Sequence, residues 1–178
     1  MNTFSTRFLG GIAVLCLATL PSLSAARSAD INELEGMQAV GTARMQVLFW
    51  KVYDATLLAP RGEFQSEEPF ALSLTYLRKL DGEKIAARSI EEMRKQGLDD
   101  EERLGRWYDL LANIIPDVNA RDEIVGLAAE DGSTRFFLHG EPIGSVDEPG
   151  FTDAFFAIWL GEQTSEPELR NQLLGVEQ

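Results

Sequence analysis

The stretch GTARMQVLFWKVYDATL (residues 41–57) is the most strand-like segment of this chain. Apolar and β-branched side chains crowd its centre, and a strand that is apolar on both faces is usually buried. Arg44 stands near the start of this segment. Because a guanidinium is rarely left unpaired inside a protein, Arg44 requires an explanation. It either reaches water and pairs with a carboxylate, or it contacts a ligand.

The composition is typical of a globular, acidic protein. The 178 residues suit one domain, and a hydrophobic content of 44% with three Trp and ten Phe predicts a packed core. Lys and Arg number 16 against 29 Asp and Glu, which gives a formal charge of −13 at pH 7. Nucleic acids and anionic membrane surfaces attract basic patches, so the net charge argues against both as partners.

The first 26 residues have the pattern of a secretory signal peptide. Arg7 precedes an apolar run over residues 8–20, and small residues up to Ala26 offer a cleavage site. The run is short for a bilayer, which favours a cleaved signal over a retained membrane anchor. We therefore expect residues 27–178 to form a single domain that is periplasmic or secreted. Cleavage would remove Cys16, so the mature chain would lack disulfides and thiolate metal sites.

The remaining segments change their hydrophobic period in blocks. Alternation over residues 70–76 predicts a strand, and strands return over 122–146, where His139 and Gly140 predict a hairpin turn. Helical spacing and capping signals predict helices over residues 83–97, 99–116, 151–161 and 165–175, the last with Ser165 and Glu168 as a capping box. Blocks of strands and helices without regular alternation indicate an α+β fold, a mostly antiparallel sheet with helices over one face.

Residues for metal, nucleophilic or phosphate chemistry are scarce. His139 is the single histidine, and no nucleophile-elbow motif or glycine-rich phosphate loop follows a strand. We therefore expect no metal and no cofactor. Trp50, Trp107 and Trp159 lie in apolar stretches and are predicted to be core residues. The polar candidates that remain are Arg44, Tyr53 and Tyr76, although a buried tyrosine often bonds only a backbone carbonyl.

Three stretches of this sequence resemble the chalcone isomerase-like family. GTARMQVLFWKVYDATLLAP is similar to the family's first motif, LHGEPIGSV to its late hairpin, and FTDAFFAIWLGEQTSEPELRNQLLG to its closing pair of helices. Together these stretches extend the resemblance over residues 36–175, and the sequence is most similar to the family's bacterial exported branch. The resemblance implies an open-faced β-sandwich, in which helices cover one face of a large antiparallel sheet.

In the isomerase branch of that family, an arginine assists ring closure of a chalcone, and Arg44 matches it. The resemblance places four other isomerase positions in this chain, and all four depart from the isomerase residues. They are Tyr53 for a threonine, Asp81 for a tyrosine, Arg88 for an asparagine, and Phe156 or Ala157 for a serine or threonine. These departures remove groups that would orient a chalcone.

In the fatty-acid-binding branch, an arginine and a tyrosine clamp a carboxylate, and the resemblance assigns these roles to Arg44 and Tyr53. Their spacing of nine residues would place them on opposite faces of one uninterrupted strand. We therefore predict a tight turn or bulge within residues 45–51 that brings both onto one face. Thr56, twelve residues from Arg44, is the reserve candidate.

Three functions follow as hypotheses. The first is non-catalytic binding of a small amphipathic, fatty-acid-like acid or related apolar ligand in a cleft between sheet and helices, through Arg44, Tyr53, Thr56 and Tyr76. The alternative is an isomerase, an intramolecular lyase acting on a chalcone-like phenolic substrate, with Arg44 as its catalytic group. The third is a structural or assembly factor whose cavity is filled by side chains.

Overall fold

The computed structural model describes residues 34–176. The predicted signal peptide and Cys16 lie outside this range. Among the residues described, no helix is long and apolar enough to cross a bilayer. Residues 34–176 also contain no group of three or more His, Cys, Asp or Glu side chains placed to hold a metal ion.

Within residues 34–176, six antiparallel strands form one sheet in sequence order. The strands are β1 (Met37–Val47), β2 (Trp50–Pro60), β3 (Phe70–Tyr76), β4 (Glu123–Ala128), β5 (Thr134–Leu138) and β6 (Glu141–Val146). The segment 41–57 is thus two strands joined at Leu48 and Phe49, as predicted. The predicted hairpin turn at His139 and Gly140 is also confirmed, since both residues have positive φ, 51° and 79°.

Four helices lie wholly within the described residues. They are α1 (Gly82–Lys95), α2 (Glu101–Ile114), α3 (Phe151–Leu160) and α4 (Pro167–Leu173). Asp100 caps α2 by accepting a hydrogen bond from the backbone N–H of Arg103 at 3.0 Å. The capping box predicted for the last helix is wrong, because Ser165 donates to Glu92 instead and α4 begins at Pro167.

The larger of two hydrophobic cores in the described part of the chain lies between the helices and the sheet face that they cover, which we call the inner face. Odd-numbered residues of β2, such as Ala55 and Leu57, and even-numbered residues of β3, such as Leu72, point to this face and are almost fully buried. Gly41 on β1 permits a close approach of α4, since a Cβ there would lie 2.2 Å from the carbonyl oxygen of Gln172. The predicted α+β fold, a sheet covered on one face by helices, is confirmed.

The apolar run in the first hairpin is not buried as the sequence predicted. Val47 is 51% exposed, Leu48 85%, Phe49 96% and Trp50 64%. The run spans the turn at the end of the sheet, beyond the cover of the helices, so its apolar content does not reflect burial. The core prediction for tryptophan is therefore wrong for Trp50, although Trp107 and Trp159 are buried.

Candidate ligand-binding cavity

A cavity of about 610 Å³ lies between the inner face of the sheet and the helices. Its walls are mainly apolar side chains of the sheet and of all four helices. They include Leu72, Leu74, Ile124 and Phe136 from the sheet and Ile85, Leu111, Phe155, Ile158, Trp159 and Leu169 from the helices. This volume and lining are typical of small-molecule sites. The third hypothesis expected a cavity filled by side chains, and the open volume contradicts that expectation.

Two phenols stand side by side on the sheet wall of the cavity. Tyr53 on β2 pairs directly with Tyr76 on β3, so both side chains point to the inner face. Their ring centroids are 6.1 Å apart, with the rings edge to face. Trp159 Nε1 donates a hydrogen bond of 2.9 Å to the Tyr53 hydroxyl oxygen, which leaves the hydroxyl proton of Tyr53 available to another acceptor.

Tyr76 is only 2% exposed, yet no group within residues 34–176 forms a hydrogen bond with its hydroxyl. Burial raises the pKa of Tyr53 to about 12, despite the opposing hydrogen bond from Trp159. Burial also raises the pKa of Tyr76 well above its ordinary value, with a smaller contribution from Tyr53. Both phenols are therefore neutral near pH 7, and each offers the cavity an O–H donor.

A charged cluster borders the same cavity on α1. The Glu92 side chain is 6% exposed and lies 2.5 Å from Arg88 Nη2, while Lys95 Nζ donates to it at 3.0 Å. Ser165 Oγ, in the segment before α4, donates to the other carboxylate oxygen at 2.7 Å. Burial raises the pKa of Glu92, but the hydrogen bonds from Ser165 and Lys95 and the charge of Arg88 together lower it below its ordinary value. Glu92 is thus an ionised, fully partnered group that ties α1 to the start of α4.

Sequence analysis did not identify this cluster. Arg88 entered only as a departure from an isomerase asparagine, and Glu92 was not singled out. Both residues and Ser89 line the cavity together with Ile85. Polar residues at helical spacing inside an apolar stripe were the available signal, because such residues either face water or interrupt a buried surface.

Arg44 lies on the opposite, outer face of the sheet, so the prediction that it shares a face with Tyr53 is wrong. Its Nε and Nη2 atoms donate to the two carboxylate oxygens of Asp54 at 2.5 and 2.9 Å, and its side chain is 45% exposed. Thr56 pairs with Thr42 and Ser73 on this outer face, and neither Arg44 nor Thr56 lines the cavity. Of the four predicted ligand-binding residues, the fold brings only Tyr53 and Tyr76 together at the cavity.

A one-residue bulge explains why Arg44 is on the outer face. Gln46 pairs with Lys51, but the next pair is Met45 with Tyr53, so Val52 is an additional residue in β2. Without this register shift, Met45 would pair with Val52 and Arg44 with Tyr53, and Arg44 and Tyr53 would share a face, as the resemblance implied. A shift of one residue moves a side chain to the other face of a sheet, and the bulge thus pairs Arg44 with Asp54.

Comparisons with known proteins agree with this architecture. The structure of a fatty-acid binding protein from Arabidopsis thaliana superposes with a TM-score of 0.61 at 13% identity, over 79% of this chain and 87% of that one. An uncharacterized protein of Haemophilus influenzae is 27% identical over 139 residues, which are 78% of this chain and 68% of that protein. The model of the family described as chalcone isomerase-like matches residues 31–175. The chain therefore belongs to the chalcone isomerase-like family.

Proposed function

We propose that this protein binds a small amphipathic acid, or a related apolar ligand with a polar head, in the cavity without converting it. The observation that carries the proposal is Tyr76: the residue is only 2% exposed and lines the cavity, and its hydroxyl has no hydrogen-bond partner within residues 34–176. An acceptor on a bound ligand would give this hydroxyl the hydrogen bond that it lacks in the fold.

The hydroxyls of Tyr53 and Tyr76 define the head-group end of the site. Both are O–H donors, so they suit a carboxylate or carbonyl oxygen. Arg88, on α1, also lines the cavity and supplies positive charge, partly offset by its contact with Glu92. The apolar walls of sheet and helix would hold the tail. The Arabidopsis protein with this fold, described as fatty-acid binding, supports the same class of ligand.

No observation favours the isomerase alternative. Its proposed catalytic group is Arg44, whose guanidinium pairs with Asp54 on the outer face and does not line the cavity. A substrate inside the cavity would not contact this side chain.

The binding proposal can be tested on protein purified from its own cells. Native mass spectrometry followed by solvent extraction should show a co-purifying acid, and lipid-stripped protein should bind palmitate in calorimetric titrations. We expect Tyr76→Phe to raise the palmitate Kd about tenfold, the effect of about 1.4 kcal/mol from one hydrogen bond to a charged group. Arg44→Ala is the matched control and should leave Kd unchanged. An empty wild-type cavity that does not take up palmitate would contradict the proposal.

We also propose that the chain is exported, because residues 1–26 combine a basic start, an apolar run and small residues at a cleavage site. Amino-terminal sequencing of the protein from its own cells should give a mature chain that begins near Arg27. Recovery of the intact chain with Met1, embedded in membranes, would instead indicate a retained anchor.

A further inference from the structure

The turn between β1 and β2 presents four consecutive exposed apolar residues, Val47, Leu48, Phe49 and Trp50, which we call the hairpin tip. Phe49 is 96% exposed and Leu48 is 85% exposed. Apart from these four, Val176 is the one exposed large hydrophobic residue among those the structure describes. Soluble proteins seldom expose contiguous apolar groups, and such patches mark interaction sites.

The hairpin turn itself does not require these residues. Two-residue hairpin loops favour Asn–Gly or similar pairs, because positive φ angles are unfavourable for other side chains. Here Leu48 adopts a φ of 55° and is followed by Phe49. The sequence thus keeps two large apolar side chains where turn chemistry favours small or polar ones, which indicates a role in contact with something outside the fold.

Positive charge lies beside the hairpin tip. The Arg78 guanidinium lies 5.1 Å from the centroid of the Trp50 ring. Lys51, which follows Trp50, and Lys79, which follows Arg78, are also exposed. Within residues 34–176, Lys51, Arg78 and Lys79 form no salt bridge. By contrast, Arg44 and Lys84 each pair with a carboxylate. An apolar tip with a tryptophan, flanked by cations that form no salt bridge within the described residues, has the chemistry of a lipid interface.

The hairpin tip is continuous with the cavity. Val47 and Leu48 line the cavity although they are largely exposed, so they form part of its rim. A surface that contacts the tip would therefore face the cavity opening.

We propose that the hairpin tip docks onto the interface of an anionic lipid bilayer, with Phe49 and Trp50 among the acyl chains and Lys51, Arg78 and Lys79 at the head groups. The net charge of −13 opposes general adsorption to such a surface, so binding depends on this local patch and on one orientation. Docking does not require a ligand in the cavity. Exchange of a ligand between bilayer and cavity would rest on the proposed function.

Flotation of the lipid-stripped protein with vesicles tests this proposal. We expect binding to vesicles of phosphatidylcholine with phosphatidylglycerol and weaker binding to phosphatidylcholine alone. The double variant Phe49→Ser, Trp50→Ser should bind at least tenfold more weakly, whereas Val176→Ser, an exposed apolar residue elsewhere, should bind like the wild type. Arg78→Gln with Lys79→Gln should reduce binding to anionic vesicles and its sensitivity to salt.

Tryptophan fluorescence provides an independent readout, because Trp107 and Trp159 are already buried. Vesicles should shift the emission to the blue in the wild type and not in Trp50→Phe. The proposal is overturned if the wild type does not float, if the serine double variant floats equally well, or if the tip instead forms a dimer that this variant abolishes. In each of those outcomes, the palmitate titration in solution would still report separately on the cavity.

Discussion

The two faces of the β1–β2 hairpin carry opposite chemistry on neighbouring residues. On the outer face, Arg44 and Asp54 form an exposed pair in which both carboxylate oxygens already accept a hydrogen bond. On the inner face, Tyr53 pairs with Met45 across the hairpin and points into the cavity. The two charges of the outer pair compensate each other, whereas the phenol presents an unused donor to an apolar cavity.

This difference shows that capacity for a ligand follows from unsatisfied groups and not from charge. An exposed ion pair contributes little because water screens it, and here the two charges already compensate each other. A neutral hydroxyl in an apolar cavity gains a full hydrogen bond when a ligand arrives. The bulge at Val52 assigns these two roles, since it decides which side chain faces inward.

The largest effect is expected at Gly41, where the inner face approaches α4. A Cβ at this position would lie 2.2 Å from the carbonyl oxygen of Gln172 and 2.5 Å from that of Leu173, so Gly41→Ala must displace helix backbone. We expect a loss of about 3 kcal/mol in the free energy of unfolding, measured by chemical denaturation.

Gly105→Ala is the matched control for Gly41→Ala. Gly105 is exposed within α2, and a Cβ there would meet nothing within 4 Å. Its replacement should stabilise the protein by about 0.5–1 kcal/mol, since glycine is a poor helix former. If Gly41→Ala were equally harmless, the inner face of β1 would not be closed by α4.

Glu92→Gln tests the charged cluster at the cavity edge. The variant lacks the ionised acceptor for Arg88, Lys95 and Ser165. We therefore expect the free energy of unfolding to fall by about 1–2 kcal/mol near neutral pH. Because the pKa of Glu92 is lowered from its ordinary value of 4.5, its contribution is fully present above that pH and is lost as the pH falls through the folded-state pKa. Denaturation curves of wild type and variant should therefore begin to converge as the pH falls below 4.5 and should coincide only below the folded-state pKa. A difference that does not change with pH would contradict an ionised Glu92.

The sequence was sufficient for the architecture because periodicity reports burial directly. Alternation in β3 and helical stripes in α1 and α2 each follow from one buried face, and the predicted elements were found there. The outer position of Arg44 could not be predicted in this way, since one additional residue, Val52, reverses the parity. The exposure of Trp50 could not be predicted from the sequence either, because an apolar run has the same composition whether it is buried in a strand or exposed at a turn.

Two of the four ligand-binding residues predicted from the sequence lie at the cavity. Tyr53 and Tyr76 were identified as polar groups within apolar strands, and both line the cavity. Glu92 and Ser165 lie 73 residues apart in sequence, and their hydrogen bond depends on how α1 packs against the segment before α4. Such contacts are set by tertiary packing, which single-sequence patterns do not contain.

Replacing the two tyrosines should have different effects on the free energy of unfolding. Tyr53→Phe leaves the buried Trp159 Nε1 without its acceptor, so we expect the free energy of unfolding to fall by about 1 kcal/mol. Tyr76→Phe removes a hydroxyl that has no partner within residues 34–176, so stability should stay within about 0.5 kcal/mol of the wild type. Chemical denaturation measures both. A large loss in Tyr76→Phe would reveal a structural bond to the hydroxyl and would weaken the case for a ligand there.

Arg44→Ala should have the smallest effect and tests the comparison of the two faces from the outer side. The substitution breaks an exposed pair with Asp54, and such pairs often contribute nothing measurable. We expect unchanged denaturation within error and an unchanged palmitate affinity. A wild-type-like result for Arg44→Ala beside a weakened Tyr76→Phe would place ligand recognition on the inner face. The opposite result would mean that the ligand binds outside the cavity, at the guanidinium that the family's first motif places on β1.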